Sequence, residues 1–382
     1  MIILISGGNF INKGAEAMLF ASFVECKNMF ADAQFILQLP NGFRKVNKIE
    51  DLVRLSNNNG KVVENHMGGV LKLKSLYTAY KQADIMLDVS GLELCSKLGV
   101  YPSLRYIFKI AISKWLGTKV FLMPQSFGPF NYGKGLKQWF MKTLIQHYIS
   151  YPKICYARES EGFDALRALN PQAHVLLSSD LVLQNKSVEA LLKRDDMGFD
   201  KLPHIRKRSV GFVPNKRMYE QYGKEKPLTC YKNIIQKLRQ ENYNVYILCH
   251  ANDDLSVAEE LKSFYSQDDG VCVVNQVLSC FQYQTLVKDF DFVVASRYHS
   301  IVHAYKENVP VIALGWAVKY KELLSRVQQN QYLLKLDDSE TTIHDKIDDI
   351  ILKHNEDSQM IKSCMREVQS NNCFLTIKEY IL

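Results

Sequence analysis

No run of 18 apolar residues occurs in the 382-residue chain, so no segment reads as a membrane-spanning helix. The opening MIILIS meets Gly7, Gly8 and Asn9 at once and has no basic stretch ahead of it, unlike a secretory leader. A cytoplasmic protein is the expectation. The nine cysteines include no CxxC pair, and Cys155, Cys249 and Cys272 stand in apolar runs where a small hydrophobe fits. They are expected as reduced thiols rather than as a disulfide framework. GxGxxG and Walker A motifs are missing, as are internal repeats and low-complexity segments, so no redox nucleotide or other cofactor is implied. The net charge is +8, but no basic stripe is interleaved with aromatics, and nucleic acid is not an expected partner. The excess suits an anionic ligand or an anionic membrane surface.

What the chain does have is an alternation of short apolar runs with longer amphipathic stretches. The runs are MIILIS, QFILQL, DIMLDVS, KVFLMP, KICYA and HVLLSS, then SVGFVP, YNVYILC, GVCVVN, DFVVAS and PVIAL. β-branched runs bounded by turn residues, with helical patterns between them, predict βαβ units and parallel sheets. A polar stretch around residues 186–206, containing Gly198 and Pro203, breaks the rhythm. The expected fold class is α/β, with two Rossmann-like doubly wound domains at 1–190 and 205–338. Residues 339–382 read as helices that pack back on the first domain.

In such sheets ligands bind at the carboxyl ends of the strands, and tandem domains leave a cleft to which both contribute. The chemistry-bearing residues do collect at strand ends. SGGNFINKGAEAM places Gly8 and Asn9 in a turn before a helix whose first turn holds Glu16. Glycines let a ligand approach the backbone, and the free amides of a helix N-terminus attract anions; a tight turn with nothing bound is the plainer reading. LDVSGLELCSK makes a second turn, and MPQSFGPF a third, with Ser126 offering a hydroxyl. In YARESEGF, Arg158 follows a short strand, placed either for a planar carboxylate or for a salt bridge with Glu159 or Glu161. In the second half, SRYHSIVHA puts Arg297 and His299 after DFVVA, and PVIAL leads to Lys319 in WAVKYK. Neighbouring strands would bring His299 and Lys319 to one pocket. His303, one helical turn beyond His299, points to packing. His299 and His303 resemble an HxxxH metal pair, but no carboxylate completes a set, and no metal is expected.

Taken together, GGNFINKGAEAM, QSFGPF, YARES, SRYHS, ENVPVIAL and WAVKYK resemble the polysaccharide pyruvyl transferases over nearly the whole chain. The resemblance implies a two-domain architecture similar to glycosyltransferase B, with phosphoenolpyruvate as donor and a sugar as acceptor. Carried over residue by residue, it implies that Arg158, His299 and Lys319 meet the donor. Departures fall on the expected acceptor side: Ala15 stands where the family often has Asp before the Glu, and the second turn reads SGLEL. The chemistry suits these residue types. Arg158 can clamp a carboxylate and Lys319 can neutralise phosphate. His299 titrates near neutrality and can carry a proton. Arg297 adds a cation, while Glu16 and Asn9 suit the hydroxyl side. Two other classes fit the same features, a nucleotide-sugar glycosyltransferase of the same architecture and a non-catalytic glycan-binding protein. Weak association with an anionic membrane is a further expectation, from Lys193, Arg194, Lys201, Arg206, Lys207 and Arg208 and the lysines between Lys134 and Lys142. Asp195 and Asp196 interrupt that run, as they would on an ordinary solvated surface.

Overall fold

The computed structural model describes residues 1–10, 12–40, 60–65, 70–186, 198–274, 278–315 and 317–381. Most of the stretch expected to join the domains, including Lys193, Arg194, Asp195 and Asp196, lies outside the described residues. The chain forms two compact units, one of Met1–Phe10, Ala15–Val188 and Asn372–Leu382, the other of Ile11–Gly14 and Glu189–Asn371.

The first unit holds β1 (Ile2–Ser6), β2 (Gln34–Pro40), β3 (Gly60–Asn65), β4 (Ile85–Asp88), β5 (Lys119–Gln125), β6 (Ile154–Ala157) and β7 (Val175–Leu177). Its helices are α1 (Lys13–Met29), α2 (Val70–Gln82), α3 (Val100–Leu116), α4 (Leu136–Tyr148), α5 (Ser160–Leu169) and the short α6 (Leu181–Gln184). The strands pair in the order β3-β2-β1-β4-β5-β6-β7, each pair parallel. The second unit holds β8 (Ser209–Val213), β9 (Asn244–Leu248), β10 (Val271–Val274), β11 (Phe292–Ala295), β12 (Val311–Leu314) and β13 (Leu333–Leu334). Between and after them come α7 (Lys216–Tyr222), α8 (Glu225–Gln240), α9 (Leu255–Phe264), α10 (Cys280–Val287), α11 (Tyr298–Lys306), α12 (Val318–Arg326) and α13 (Glu340–Ser370). This sheet is also parallel, in the order β10-β9-β8-β11-β12-β13.

Both orders have the doubly wound form, with the reversal between β1 and β4 in one sheet and between β8 and β11 in the other. That reversal opens a crevice at the strand ends. It also explains the apolar runs, since β4, β6, β8, β11 and β12 are buried along their whole length, as strands covered by helices on both faces must be. Two strands escaped the sequence reading: GKVVEN has a core of only two valines, and β13 is two residues long. The C-terminal stretch, expected to pack as one block on the first domain, is divided: α13 packs on α8 and α11 of the second unit, and α14 (Cys373–Ile381) belongs to the first. None of the nine cysteines is in a disulfide.

The turn after β4 is held from below by α3. Lys109 is 5% exposed and its Nζ lies 2.5 Å from Asp88 Oδ2, 3.0 Å from Glu93 Oε2 and 3.1 Å from Ser90 Oγ. Arg105 Nε adds a 2.6 Å bond to Glu93. Burial by itself would raise the Glu93 carboxyl, but Lys109 and Arg105 outweigh it and hold Glu93 below the usual carboxylate range. Such a group stabilises the fold above its unfolded pKa and loses that contribution as pH falls on through its lower, folded pKa. Lys109→Met leaves buried carboxylates without their cation, and urea unfolding at neutral pH should show a loss of about 3–5 kcal/mol. The gap from the parent protein should narrow below about pH 4, where carboxylates protonate.

Candidate active site

In the first unit, the turn after β1 has the steric reason for its glycines. Gly7 has φ +92°, and a β-carbon there would fall 2.3 Å from Ser90 Oγ and 2.6 Å from Ser90 N, so the turns after β1 and β4 touch only because Gly7 has no side chain. A β-carbon on Gly8 would meet Leu19 Cβ at 2.9 Å, so Gly8 sets how closely α1 packs on the strand. Asn9 follows in the same turn, partly buried, and Glu16 sits in the first turn of α1, 1% exposed.

Arg158 leaves the end of β6 and is also buried. Its Nη1 donates to Asp180 Oδ2 at 2.8 Å, and its Nη2 donates to Ser126 Oγ at 2.7 Å and Gly91 O at 3.4 Å. Its Nε stands 3.6 Å from Glu159 Oε2, and Ser126 Oγ passes a hydrogen bond on to Glu159 at 3.1 Å. These bonds engage both terminal nitrogens of the side chain expected to clamp a carboxylate. The guanidinium joins the turns after β4, β5 and β6 into one network, and Ser126 is part of it rather than an open hydroxyl.

The second unit repeats the device at its own switch point. Arg297, at the end of β11, is 7% exposed. Its Nε bonds both oxygens of Asp254, at 3.1 and 2.9 Å, and its Nη2 reaches Asp254 Oδ1 and Asp253 Oδ1. Asp254 also accepts the backbone N–H groups of Lys216 at 3.0 Å and Ala251 at 3.1 Å. Arg297, expected as a cation of the site, ties the turns after β8, β9 and β11 together. Ser296 beside it is fixed as firmly, its carbonyl accepting from Asn215 Nδ2 at 2.8 Å and Tyr320 Oη at 3.0 Å.

On this frame His299 and Lys319 come together around one ring. His299, partly buried in the first turn of α11, packs edge-on to Tyr298 with centroids 5.4 Å apart. Lys319 Nζ lies 5.3 Å from the centre of the same ring, a cation over an aromatic face. Parallel pairing of β11 with β12 places the two turns side by side. Lys13 and Gly14 are grouped with this unit. Lys13 Nζ donates to His250 O at 3.2 Å, and a β-carbon on Gly14 would fall 2.1 Å from His299 Cγ.

Behind His299 stands a residue the motif reading passed over. His250 follows β9 and is 1% exposed. Its ring stacks on His299 at 11° with centroids 6.4 Å apart, and it meets His303 at 6.0 Å and Tyr283 at 5.3 Å. His303 is fully buried, as its helical spacing suggested. The signal for His250 was present: the strand YNVYILC runs straight into it, as DFVVAS runs into Arg297. Among the described residues no three His, Cys, Asp or Glu side chains converge as metal ligands. Both ring nitrogens of His250 are buried without a hydrogen-bond partner, a cost of about 1–3 kcal/mol for each such group. Burial first, then the nearby cations and histidines, push its pKa well below 6.5. The unfolded chain therefore binds a proton that the folded one does not, so stability falls as pH drops below about 6.5. His250→Phe keeps the aromatic packing and removes the polar atoms. Unfolding of the variant should match or exceed the parent in stability at neutral pH, with a shallower decline between pH 6.5 and 5.

The sequence model of the polysaccharide pyruvyl transferase family matches residues 12–317. No curated protein matches the chain. Among solved structures, UDP-GlcNAc 2-epimerase from Neisseria meningitidis, bound to UDP-GlcNAc, is similar with a TM-score of 0.64 at 10% identity over 100% of both chains. The UDP-GlcNAc 2-epimerase from Methanocaldococcus jannaschii in complex with UDP-GlcNAc and UDP gives 0.59 at 10% identity, covering 92% of this chain and 93% of its own. A glycosyltransferase from Rickettsia africae ESF-5 gives 0.59 at 13% identity, covering 100% and 98%. These likenesses show the fold, two Rossmann-like units of the glycosyltransferase B kind.

Proposed function

Because the chain belongs to the polysaccharide pyruvyl transferase family, we propose that it moves the three-carbon unit of phosphoenolpyruvate onto two hydroxyls of a sugar in a cell-surface glycan precursor, such as that of a capsule or exopolysaccharide. A pyruvate ketal forms and phosphate leaves, with no further cofactor taking part. The observation that carries this reading is the pairing of His299 with Lys319 around Tyr298 at neighbouring strand ends.

The reaction must protonate the donor methylene, so that its central carbon becomes electrophilic. One sugar hydroxyl then adds to that carbon, phosphate departs with the C–O bond electrons, and the second hydroxyl closes the ketal. The two hydroxyl protons balance the one taken up by the methylene and the one carried off by phosphate. His299 is the proton carrier in this scheme, and Lys319 offsets the charge that builds on the departing phosphate. Glu16 and Asn9 are assigned to the hydroxyl side. Arg297 and Arg158 act indirectly, by holding the turns. The acceptor is then assembled in the cytoplasm.

Phosphoenolpyruvate should protect the fold by about 2.7 kcal/mol at a hundredfold excess over its Kd, with UDP-sugars protecting far less. Label from phosphoenolpyruvate, not from a UDP-sugar, should enter the cell's lipid-linked glycans. His299→Ala should lower kcat by about 10²–10⁴ while leaving donor Kd nearly unchanged. His303→Gln, in contrast, should act through packing. Protection by UDP-sugars alone, with their label in the glycan, would replace this reading with nucleotide-sugar glycosyl transfer.

A further inference from the structure

Between Glu93 and Glu159 the chain contains no aspartate or glutamate, although residues 94–158 include eight lysines and two arginines. This stretch carries the outer surface formed by α3 and α4. The two helices pack against each other, joined near their starts by Tyr132 Oη donating to Ser103 Oγ at 2.8 Å and near their ends by Lys114 Nζ against His147 Nε2 at 3.4 Å.

The apolar residues on this surface are large and uncovered. On α3, Tyr101, Phe108 and Trp115 recur every seventh residue and so share one stripe; Trp115 is 73% exposed. On α4, Leu136, Trp139 and Phe140 share a face at i, i+3 and i+4, with Leu136 83% and Trp139 64% exposed. Tryptophan is on average a highly buried residue, and both tryptophans of this region stand in solvent. Lys114, Lys134, Lys137 and Lys142 are exposed around them. Elsewhere among the described residues exposed apolar side chains are scattered, as on any protein. No described helix is long and apolar enough to cross a membrane.

We propose that the α3–α4 face docks on the surface of a bilayer carrying anionic head groups. The aromatic and leucine side chains enter the boundary between head groups and acyl chains, where tryptophan is favoured, and the lysines meet the lipid phosphates. Charge complementarity selects this occupant: the exposed Lys114, Lys134, Lys137 and Lys142, in a chain segment that holds no carboxylate, match a negative sheet. Of the basic residues expected earlier to serve this role near residue 200, Arg206 and Arg208 are engaged elsewhere. Arg206 donates to Asp269 O at 3.1 Å, and Arg208 donates to Glu241 O at 2.9 Å and lies over the Tyr243 ring. This surface goes beyond the donor chemistry and would hold for any reaction on a lipid-linked glycan.

The test uses the full chain and vesicles of phosphatidylcholine, alone or with a third of the lipid replaced by phosphatidylglycerol. Cosedimentation should occur with the anionic vesicles only. It should fade when salt rises from about 0.1 M to about 1 M, which shortens the screening length from about 10 Å to about 3 Å. On binding, tryptophan emission should shift to the blue and be quenched by brominated acyl chains. Leu136→Ser/Trp139→Ser/Phe140→Ser, changed only at exposed positions, should weaken partitioning by about tenfold or more. Lack of binding to anionic vesicles at low salt, or equal binding by the triple variant, would overturn the proposal. So would a parent dimer that the triple variant turns into a monomer, which would assign the face to a second copy of the chain.

Discussion

The buried pairing of Arg297 with Asp254 is the constraint on which the second unit's strand ends depend. One carboxylate accepts from Arg297 and from the backbone of Lys216 and Ala251, so the turns following β8, β9 and β11 cannot move independently. A buried ion pair contributes little net stability compared with a well-packed apolar substitute, but removing one partner is costly because a charge is stranded. Its consequence here is geometric. His299 lies two residues from Arg297 and starts a helix whose position is set by that pair and by the bonds to Ser296.

The first unit solves the same problem with different residues. Lys109 holds the turn after β4 through Asp88 and Glu93, and Arg158 joins Asp180 and Ser126. In both units, then, the charged residues at the strand ends divide into two sets. The buried ones brace the turns, while His299 and Lys319 are only partly buried, on either side of Tyr298. That division supports reading the chemistry through His299 and Lys319, with Arg297 as their scaffold.

Much of the fold was legible because parallel strands covered on both faces must be continuously apolar, as β4, β6, β8, β11 and β12 are. β3 and β13 were not legible, since two valines or two leucines carry no period. The site was legible in place and only partly in role. Arg158 and Arg297 were recognised at strand ends, but their partners lie 22 and 43 residues away, across intervening helices that hide the pairing from local spacing. His250 was missed because it stands alone in sequence; only the adjacency of β9 with β8, and of β8 with β11, brings it behind His299. The lysines of α4 were noticed, whereas the heptad of exposed aromatics on α3 looks in sequence like any buried stripe until the fold shows which side faces out.

The central claim is that the donor's methylene carbon takes a proton during transfer. Running the reaction in heavy water with phosphoenolpyruvate and the cell's lipid-linked glycans, then analysing the glycan by mass spectrometry and NMR, tests it most directly. The account predicts a new ketal whose methyl group carries one deuterium from solvent, with one phosphate released per ketal. A ketal methyl free of deuterium, or a glycan extended by a hexosyl unit from a UDP-sugar in its place, would contradict it.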